Sequence, residues 1–440
     1  MSMINAYDPK ATNGVGTREQ AMIARRQKLL GPAYRLFYAN PVHLVRGEGV
    51  WLYDPDGNAY LDVYNNVASV GHCHPHVVAA LARQAATLNT HTRYLNPVIL
   101  DYAEKLLGYF PEPLGHVMFT CTGSEANDLA FRVARSHTGG TGFIVTQLAY
   151  HGVTVAISEM SPSLGSHVTL GAHVRTVPAP DLYRGGPGVA ERLAADVRAA
   201  IADMRAHGIT PAALLVDTIF SSDGVFADPA GFLAPAVAAI REAGGLFIAD
   251  EVQPGFGRTG EAMWGFQRHG LVPDIVTMGK PMGNGHPIAA MVSRPDILAR
   301  FGEATRYFNT FGGNPVSCAV GQAVLEVIEG EGLVENARTT GAFLAAGLRK
   351  LAERHALIGD VRGAGLFVGV ELVTDRATKA PATAETARLV NGLRERRVLI
   401  SAAGPHANIL KIRPPLVFRQ EHAEHFLAAV DAVLGEIGGG

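Results

Sequence analysis

The stretch LFIADEVQPGFGRTG, residues 246–260, decides the fold: an apolar run ends at Asp250 and a glycine-rich loop follows at once. A short apolar run bounded in this way is typical of a strand that is buried on both faces of a parallel sheet. Helical stretches such as SEANDLAFRVARSH (124–137) alternate with further runs of this kind, which predicts βαβ units around a mainly parallel sheet. The other runs, between residues 116 and 293, are HVMFTCTG, FIVTQL, AALLVD, DIVTMGK and IAAMVS.

Asp250 is the first residue that the pattern singles out for chemistry. Ligands of open α/β sheets bind outside the carboxyl ends of the strands, so a carboxylate at that edge can pair with a cationic ring nitrogen. The alternative interpretation is an aspartate that only caps the following turn.

Lys280 ends the run in DIVTMGKPMGNGHP (274–287), and we expect it at the same edge of the sheet. An amine that leaves a buried strand is partly desolvated, which lowers its pKa and favours the neutral form that a Schiff base needs. An ordinary surface lysine is the alternative. A P-loop is excluded because Pro281, and not Ser or Thr, follows the lysine.

A third candidate site lies in FTCTGSEANDLAFRVAR (119–135), where a strand passes through Gly123 and Ser124 into a helix. Free backbone N–H groups at a helix N-terminus, with a small hydroxyl beside them, can bind a phosphate. An ordinary helix cap at Ser124 is the alternative. A phosphate cup, a carboxylate for a ring nitrogen and an amine for an aldehyde together fit pyridoxal 5'-phosphate.

The whole-chain composition excludes several other classes of protein. The chain has 440 residues with 38 basic and 40 acidic side chains, and this balance predicts no nucleic-acid partner. Three widely spaced cysteines indicate a reducing compartment, and no run reaches the 18 apolar residues of a membrane span. The N-terminus lacks the pattern of a signal peptide, so we predict a soluble, cytoplasmic protein without a membrane association.

Histidine is frequent, but its spacing does not predict a metal site. His72, Cys73 and His74 resemble metal ligands, yet neighbouring side chains of an extended segment point in opposite directions. We therefore predict no metal. His286 and Arg258 are expected to shape the loops around the cofactor.

These motifs together resemble the class III (ω-amino acid) aminotransferase family of fold-type I enzymes that use pyridoxal 5'-phosphate. The resemblance implies an α/β fold, with a large domain built on a mainly parallel mixed sheet between helices and a small α+β domain. Residues 1–60 are expected in the small domain, 61–330 in the large domain and 331–440 again in the small one. Beyond residue 330 we expect a long helix, strands that include VRGAGLFVGVEL (361–372), and a terminal helix. The motifs are RGEGVWLYDPDGNAYLD, GHCHPHVV, TGSEAND, YHG, ADEVQPGFGRTG, MGKPMGNG, FGGNPVSCA and RGAGLFVGVEL.

The resemblance also assigns roles to individual positions. It implies that Lys280 forms the Schiff base with the cofactor and that Asp250 keeps the ring nitrogen protonated. It further implies a homodimer with active sites shared between subunits, with a tetramer left open, and a small primary amine as substrate. The other cofactor positions are Gly123 and Ser124 at the phosphate, Tyr150 on the ring face, His151 beside it, Gln253 near the 3'-oxygen and Thr310 reaching the phosphate from the neighbouring subunit.

Two departures from the family pattern bear on the reaction. Members that use 2-oxoglutarate have a Glu-Pro-Ile-Gln-Gly-Glu stretch whose second Glu pairs with an Arg three residues before Pro-Pro. Here the stretch is DTIFSS (217–222), and Lys411 takes the place of that Arg, with Arg413 close by. The arginine that would bind a carboxylate through two parallel hydrogen bonds, here called the carboxylate fork, is therefore missing at its usual position. Lys411 in its place is a point charge that suits phosphate as well.

The segments around Lys280, NVASVGHCHP and LNTHTRYLNP resemble the phospho-lyase branch of the family. Such an enzyme eliminates phosphate and ammonia from O-phosphoethanolamine or 5-phosphohydroxylysine and needs no carboxylate fork. Arg93 and Lys411 are the candidates for holding the leaving group. A transaminase that uses pyruvate and a lyase for an aminophosphonate stay open, because Asp217 and Phe220 also depart from the phospho-lyases. A catalytically silent binding protein is disfavoured because Lys280 is present.

Overall fold

The computed structural model describes residues 4–10 and 14–439. Short 3-10 helices span Pro162–Leu164, Gly265–His269 and Lys280–Gly283. The α-helices are α1 (Thr17–Leu30), α2 (Pro75–Thr87), α3 (Pro97–Leu107), α4 (Gly123–Thr138), α5 (Val155–Ser158), α6 (Leu182–Gly185), α7 (Val189–Ala206), α8 (Ala234–Glu242), α9 (Pro295–Ala304), α10 (Pro315–Gly330), α11 (Leu333–Arg354), α12 (Thr383–Glu395) and α13 (Gln420–Gly438). The strands are β1 (Arg46–Glu48), β2 (Trp51–Tyr53), β3 (Ala59–Asp62), β4 (His116–Thr120), β5 (Gly142–Thr146), β6 (Val174–Val177), β7 (Pro211–Asp217), β8 (Leu246–Asp250), β9 (Ile275–Met278), β10 (Ala289–Ser293), β11 (Ile358–Ala364), β12 (Phe367–Asp375), β13 (Ala380–Pro381), β14 (Val398–Leu399), β15 (Ser401–Ala403) and β16 (Ile409–Ile412).

A seven-stranded sheet forms the centre of the molecule, in the order β4, β10, β9, β8, β7, β5, β6. The five strands β6, β5, β7, β8 and β9 run parallel to one another, whereas β10 runs antiparallel to both β9 and β4. The mainly parallel mixed sheet expected from the sequence is confirmed. The strand β6 was not predicted; its two middle residues are only partly buried.

Helices cover both faces of this sheet. Alternate side chains of β8 therefore belong to two separate apolar cores. Phe247 of β8 packs in the same core as Ile240 of α8, whereas Ile248 packs in the core that contains Val133 of α4. All five residues of β8 are buried. A strand covered on both faces must be apolar along its whole length, which is why the run is continuous and does not alternate.

The remaining strands form two smaller sheets. One has the order β11, β12, β16, β15, with β13 beside β12, and α11 packs on β11. In the other, β3 pairs in parallel with β14, so residues 59–62 lie against residues 398–399 from the far end of the chain. The domain boundaries at residues 60 and 330 stay a prediction.

The prediction that VRGAGLFVGVEL forms one strand is wrong. The segment forms a tight hairpin in which Ala364 of β11 pairs with Phe367 of β12. Gly365 lies in the turn with φ 54°, a left-handed conformation that glycine adopts without strain. The apolar run continues across the turn, which hid the break in the sequence.

No helix in the described ranges is long and apolar enough to cross a membrane. Within residues 4–10 and 14–439, no group of three or more His, Cys, Asp or Glu side chains could hold a metal ion. His72 lies 2.7 Å from a carboxylate oxygen of Asp62, and His74 lies 2.9 Å from one of Glu331, so the two histidines face different partners. Cys73 between them is exposed and has a φ of 53°.

The close approach of α11 to the β11–β12 turn gives a test of this packing. A Cβ at Gly341 would lie 2.1 Å from the carbonyl oxygen of Gly365. We expect Gly341→Ala to lower the free energy of unfolding by about 1–3 kcal/mol, because backbone must shift to admit the methyl group. Denaturant unfolding of the cofactor-free protein measures this change.

Gly435 of α13 is the matched control, because a Cβ there would meet nothing within 4 Å. Gly435→Ala should leave the free energy of unfolding unchanged or raise it by about 0.5–1 kcal/mol, since alanine loses less backbone entropy in a helix. Equal effects of the two substitutions would contradict the packing described.

Candidate active site

Lys280 lies at the carboxyl edge of the central sheet, where β9 gives way to the 3-10 helix that starts at this residue. Its Nζ is 5.8 Å from the centre of the Tyr150 ring. Burial, and after it the positive charge of Arg413, lowers the pKa of the Lys280 amine below its usual value. The neutral amine that reacts with an aldehyde is therefore more populated at neutral pH than in an exposed lysine.

Asp250 ends β8 at the same edge, with its side chain held by three donors. Oδ2 accepts a hydrogen bond from Asn127 Nδ2 at 3.0 Å and lies 2.7 Å from His151 Nδ1. Oδ1 accepts one from the backbone N–H of Val252 at 3.1 Å. A carboxylate offers about four acceptor positions, so Oδ1 can accept one more hydrogen. A protonated ring nitrogen is a donor of the required kind.

The N-terminus of α4 forms a cup for an anion. Thr122 caps the helix by accepting a hydrogen bond from Glu125 N at 3.1 Å, and the Glu125 carboxylate accepts one from Thr122 N at 3.0 Å. In the described part of the chain, the backbone N–H groups of Gly123 and Ser124 have no hydrogen-bond partner. Two free N–H groups at the positive end of a helix dipole favour a phosphate.

Glycine is required on the opposite wall of the cup. Gly152 has a φ of 143°, and a Cβ there would lie 2.6 Å from Ser124 Oγ. Ser124 Oγ accepts a hydrogen bond from Val153 N at 3.1 Å. The hydroxyl hydrogen of Ser124 can therefore still be donated to a ligand.

A cavity joins these groups. Its walls come from the ends of β7, β8 and β9, from the start of α4 and from the loop after β5. It brings together the sequence-predicted residues Lys280, Asp250 and Gln253 with the cup and with the tyrosine–histidine pair. The lining residues are Gly123, Ser124, Tyr150, His151, Gly152, Asp217, Asp250, Val252, Gln253 and Lys280.

Arg413 lies just behind Gln253 and sets the direction of its amide. Arg413 Nη1 donates to Gln253 Oε1 at 2.6 Å and to Asn66 Oδ1 at 2.7 Å. The guanidinium carbon lies 4.4 Å from the centre of the Tyr64 ring. Because Oε1 of Gln253 is bound to the arginine, its Nε2 is the group left to donate to a ligand in the cavity.

Lys411 of β16 is the second buried cation beside the site. Burial, and next the charge of Arg413, lowers the pKa of Lys411 well below its usual value, while the Asp217 carboxylate opposes this. Among the described residues, no carboxylate oxygen lies within 4 Å of either Lys411 Nζ or the Arg413 guanidinium. Neither residue lines the cavity in the single chain.

Asp217 takes the first position of the family's Glu-Pro-Ile-Gln-Gly-Glu stretch. It ends β7 in register with Asp250 and accepts backbone hydrogen bonds from Ile219 and Ser221, each at 3.1 Å. Burial raises the pKa of the Asp217 carboxyl above its usual value. Phe220 is 1% exposed in a left-handed conformation with φ 51°, and it completes this turn.

Arg93 and Thr310 lie on the surface and do not line the cavity of their own chain. The Arg93 guanidinium carbon is 3.8 Å from the centre of the Phe308 ring, so the two sequence segments meet on one patch. Leu95 and Phe311 of the same segments are 99% and 70% exposed. Apolar side chains this open are typical of a surface that is covered by a partner.

Sequence reasoning missed Asn127, which contacts Asp250 directly. It lies three residues after Ser124 on the buried side of α4, where the neighbouring buried side chains Ala126, Leu129 and Ala130 are apolar. A polar residue on an apolar helix face could have indicated a buried hydrogen-bond network. The link between Gln253 and Arg413 was also missed, because it joins residues 160 positions apart.

The fold and the site define an enzyme of fold type I that uses pyridoxal 5'-phosphate. The open position on Asp250 Oδ1, the free N–H groups of the cup and the desolvated amine of Lys280 fit the ring nitrogen, phosphate and aldehyde of this cofactor. The chain belongs to the class III aminotransferase family, whose sequence model matches residues 37–434.

Some proteins that are similar to this chain are named as aminotransferases, and others are named as phospho-lyases. A Drosophila melanogaster protein named alanine–glyoxylate aminotransferase 2-like is 42% identical over 419 residues, 92% of this chain and 85% of the relative. A Caenorhabditis elegans protein named ethanolamine-phosphate phospho-lyase homolog 1 is 38% identical over 445 residues, 96% of this chain and 95% of the relative. The solved structure of a phospholyase from Arthrobacter in complex with phosphoethanolamine is 46% identical, with a TM-score of 0.91, and the match covers 94% of this chain and 99% of that chain.

The lowered pKa of Lys280 can be tested in the cofactor-free protein. Arg413 disfavours the protonated amine, so Arg413→Gln should raise the pKa of Lys280 toward its usual value. The rate of reductive methylation of Lys280, followed by mass spectrometry from pH 7 to 11, measures this titration.

Arg338, an exposed arginine of α11, supplies the matched control. Arg338→Gln should leave the titration of Lys280 where it is. A Lys280 titration that does not move, or moves downward, in Arg413→Gln would show that the arginine does not act on the amine.

Proposed function

We propose that this enzyme is a phospho-lyase for a small amine that has a phosphate ester on the carbon next to the amine carbon, with O-phosphoethanolamine as the model substrate. The observation that supports it is the pair of buried basic side chains, Lys411 and Arg413, which have no carboxylate partner among the described residues; Arg413 donates to Gln253 in the cavity wall. The 46% identity to an Arthrobacter phospholyase solved with phosphoethanolamine adds to this.

In this proposal, each wall of the cavity has one task toward the cofactor. The bound cofactor supplies an electron-withdrawing ring that weakens the bonds at the amine carbon. Gly123 and Ser124 would donate hydrogen bonds to its phosphate, and Asp250 Oδ1 would accept the ring N–H. Gln253 Nε2 donates to the 3'-oxygen.

The remaining groups orient the ring and move the proton. Tyr150 would cover one ring face, and His151 holds Asp250 through its Oδ2. Lys280 Nζ would take the proton from the amine carbon of the substrate and could return it. Its lowered pKa favours the neutral, proton-accepting form.

The overall reaction balances with water as the only co-reactant. The amine carbon loses a proton and the neighbouring carbon loses phosphate when its C–O bond breaks. Water then releases ammonia and leaves an aldehyde. No keto acid is consumed, so the second carboxylate site of a transaminase is not required.

Two unsatisfied donors near the cavity support a position for the substrate phosphate beside Arg413. Arg413 Nε and Asn66 Nδ2 are buried without a hydrogen-bond partner among the described residues. Leaving such donors unpaired costs about 1–3 kcal/mol each, and oxygens of a bound anion would satisfy them. A bound phosphate would favour the protonated form of Lys411, which would then add a point charge without the planar geometry of an arginine.

Transamination is the second candidate. The relative named alanine–glyoxylate aminotransferase 2-like, at 42% identity, favours it, and Arg413 could take the place of the missing carboxylate fork. In that case an amine or amino acid would give its amino group to pyruvate or a similar keto acid. A silent binding protein is disfavoured because Lys280, Asp250 and the phosphate cup are all present.

We also propose a homodimer with shared active sites. The exposed patch of Arg93, Leu95, Phe308 and Phe311 includes the loop of Thr310, and a second copy covering it would bring Thr310 and Arg93 to the neighbouring site. Arg93 would then hold the substrate phosphate in trans. Assembly into tetramers and a cytoplasmic location stay predictions.

Phosphate release tests the preferred reaction. With O-phosphoethanolamine and no keto acid, we expect continuous release of phosphate and ammonia while the cofactor absorbance is retained. Arg413→Gln should lower kcat/KM about tenfold or more, since it removes one buried charge-assisted contact. Lys411→Met should act in the same direction.

Lys350, an exposed lysine of α11, supplies the control for Lys411. Lys350→Met should leave phosphate release unchanged. A transaminase would instead release no phosphate. Its cofactor would be aminated in a single turnover and would return to the aldehyde form when pyruvate is added.

Mixed dimers test the role of Arg93 in trans. Lys280→Ala and Arg93→Ala subunits, each poorly active alone, should regain activity when they are mixed, because one site of each mixed dimer then has both residues. Random mixing would restore about a quarter of the wild-type sites. Activity should be measured on mixed dimers isolated through two different affinity tags.

If Arg93 served its own chain, no site of a mixed dimer would contain both Lys280 and Arg93. If the activity of the mixed dimers is no higher than half the activity of the Arg93→Ala homodimer, the assignment in trans is contradicted. Full activity of the Arg93→Ala homodimer would remove Arg93 from the site altogether.

A further inference from the structure

Asn127 provides a buried amide at the meeting point of the groups that would hold the cofactor. The side chain is 1% exposed, and it belongs to α4, the helix whose first residues form the phosphate cup. A buried amide without partners would cost about 1–3 kcal/mol, so its hydrogen bonds decide whether it stabilises the structure.

The hydrogen bonds of this amide are complete. Nδ2 donates to Asp250 Oδ2 at 3.0 Å and to the carbonyl oxygen of His151 at 2.7 Å. Oδ1 accepts from Thr277 Oγ1 at 2.6 Å. Thr277 lies on β9, three residues before Lys280. One side chain therefore joins the helix of the phosphate cup, the strand of Asp250, the strand that leads to Lys280 and the loop of His151.

Only one orientation of the amide satisfies these partners. A flipped amide would place its oxygen against the Asp250 carboxylate and the His151 carbonyl, which are both acceptors. The orientation in turn fixes Asp250: Asn127 and His151 occupy Oδ2, and only Oδ1 keeps an open position.

We propose that Asn127 is a positioning residue that holds Asp250 in the rotamer whose Oδ1 accepts the ring N–H of the cofactor. It also ties this carboxylate to the phosphate cup and to the strand of Lys280, so that the three cofactor contacts keep their spacing. The inference rests on the role proposed for Asp250 above, and the test below separates the two.

The test uses holoenzyme with cofactor labelled with ¹⁵N at the ring nitrogen, whose chemical shift reports whether that nitrogen is protonated. In the wild type we expect the signal of a protonated ring nitrogen at pH 8. In Asn127→Ala it should move toward the unprotonated value, because Asp250 turns away or, with one donor fewer, draws the proton to itself. Cofactor binding should weaken by about tenfold or more.

Asn336 of α11 is a closely matched control. It is also a buried helix amide, and its Nδ2 donates to two carbonyl oxygens, those of Leu416 and Phe418, while its Oδ1 accepts from Thr340 Oγ1. Asn336→Ala should lower the melting temperature as Asn127→Ala does, yet leave the ring-nitrogen signal and the cofactor affinity as in the wild type.

Thr277→Val gives a second variant that keeps the shape of the side chain and its fit to a strand. It removes the donor to Asn127 Oδ1, so the signal should move in the same direction by a smaller amount. An unchanged ring-nitrogen signal in Asn127→Ala would overturn the positioning role. If Asn127→Ala does not fold, an unchanged signal in Thr277→Val would do the same.

Asp250→Asn separates the inference from the proposal on which it rests. Loss of ring-nitrogen protonation in Asp250→Asn, together with a wild-type signal in Asn127→Ala, would overturn the role of Asn127 alone. Retained protonation in Asp250→Asn would overturn the role of Asp250, and the inference about Asn127 with it.

Discussion

The parallel pairing of β8 with β9 is the constraint on which the active site depends. It sets Asp250 directly beside Thr277, and the backbone N–H of the next residue, Glu251, donates to the Thr277 carbonyl at 2.8 Å. Asp250 and Lys280 therefore leave the sheet at one edge, although 30 positions separate them in the chain. Because the strands are apolar and buried on both faces, a slip of either strand toward the core would draw its terminal charge into apolar surroundings. The register that suits the core is thus also the register that assembles the site.

Burial then adjusts the chemistry of the groups at this edge. Loss of solvent lowers the pKa of Lys280 and raises that of Asp217, so both neutral forms are favoured before any ligand is considered. The donors around Asp250 act differently, since they hold a carboxylate with one open acceptor position. The site thus combines an amine kept reactive by desolvation with an acceptor kept in place by hydrogen bonds. Arg413 adds a positive charge that no described carboxylate neutralises at close range, and Lys411 stands beside it as a desolvated amine in place of the usual arginine.

The sequence predicts those features that depend on neighbours along the chain. Continuous apolar runs indicated β8 and β9, and the residues at their ends indicated Asp250 and Lys280. The glycine and serine at the start of α4 indicated the cup. Features that depend on distant contacts were not predictable in this way. The hairpin at Gly365 interrupts a run that looks continuous, the Arg413–Gln253 bond joins residues 160 positions apart, and the packing of Arg93 on Phe308 appears only in three dimensions. The roles assigned to the cofactor-binding residues follow from the resemblance and remain predictions.

The central claim is that the cofactor is held covalently at the edge shared by β8 and β9. Borohydride reduction of the holoenzyme, followed by peptide mapping with mass spectrometry, tests it most directly. The account predicts a single stable pyridoxyl label, on Lys280, and no label on Lys411 even though the pKa of that amine is also lowered. A label on Lys411 or on any other lysine, or a holoenzyme that takes up no label, would contradict the account.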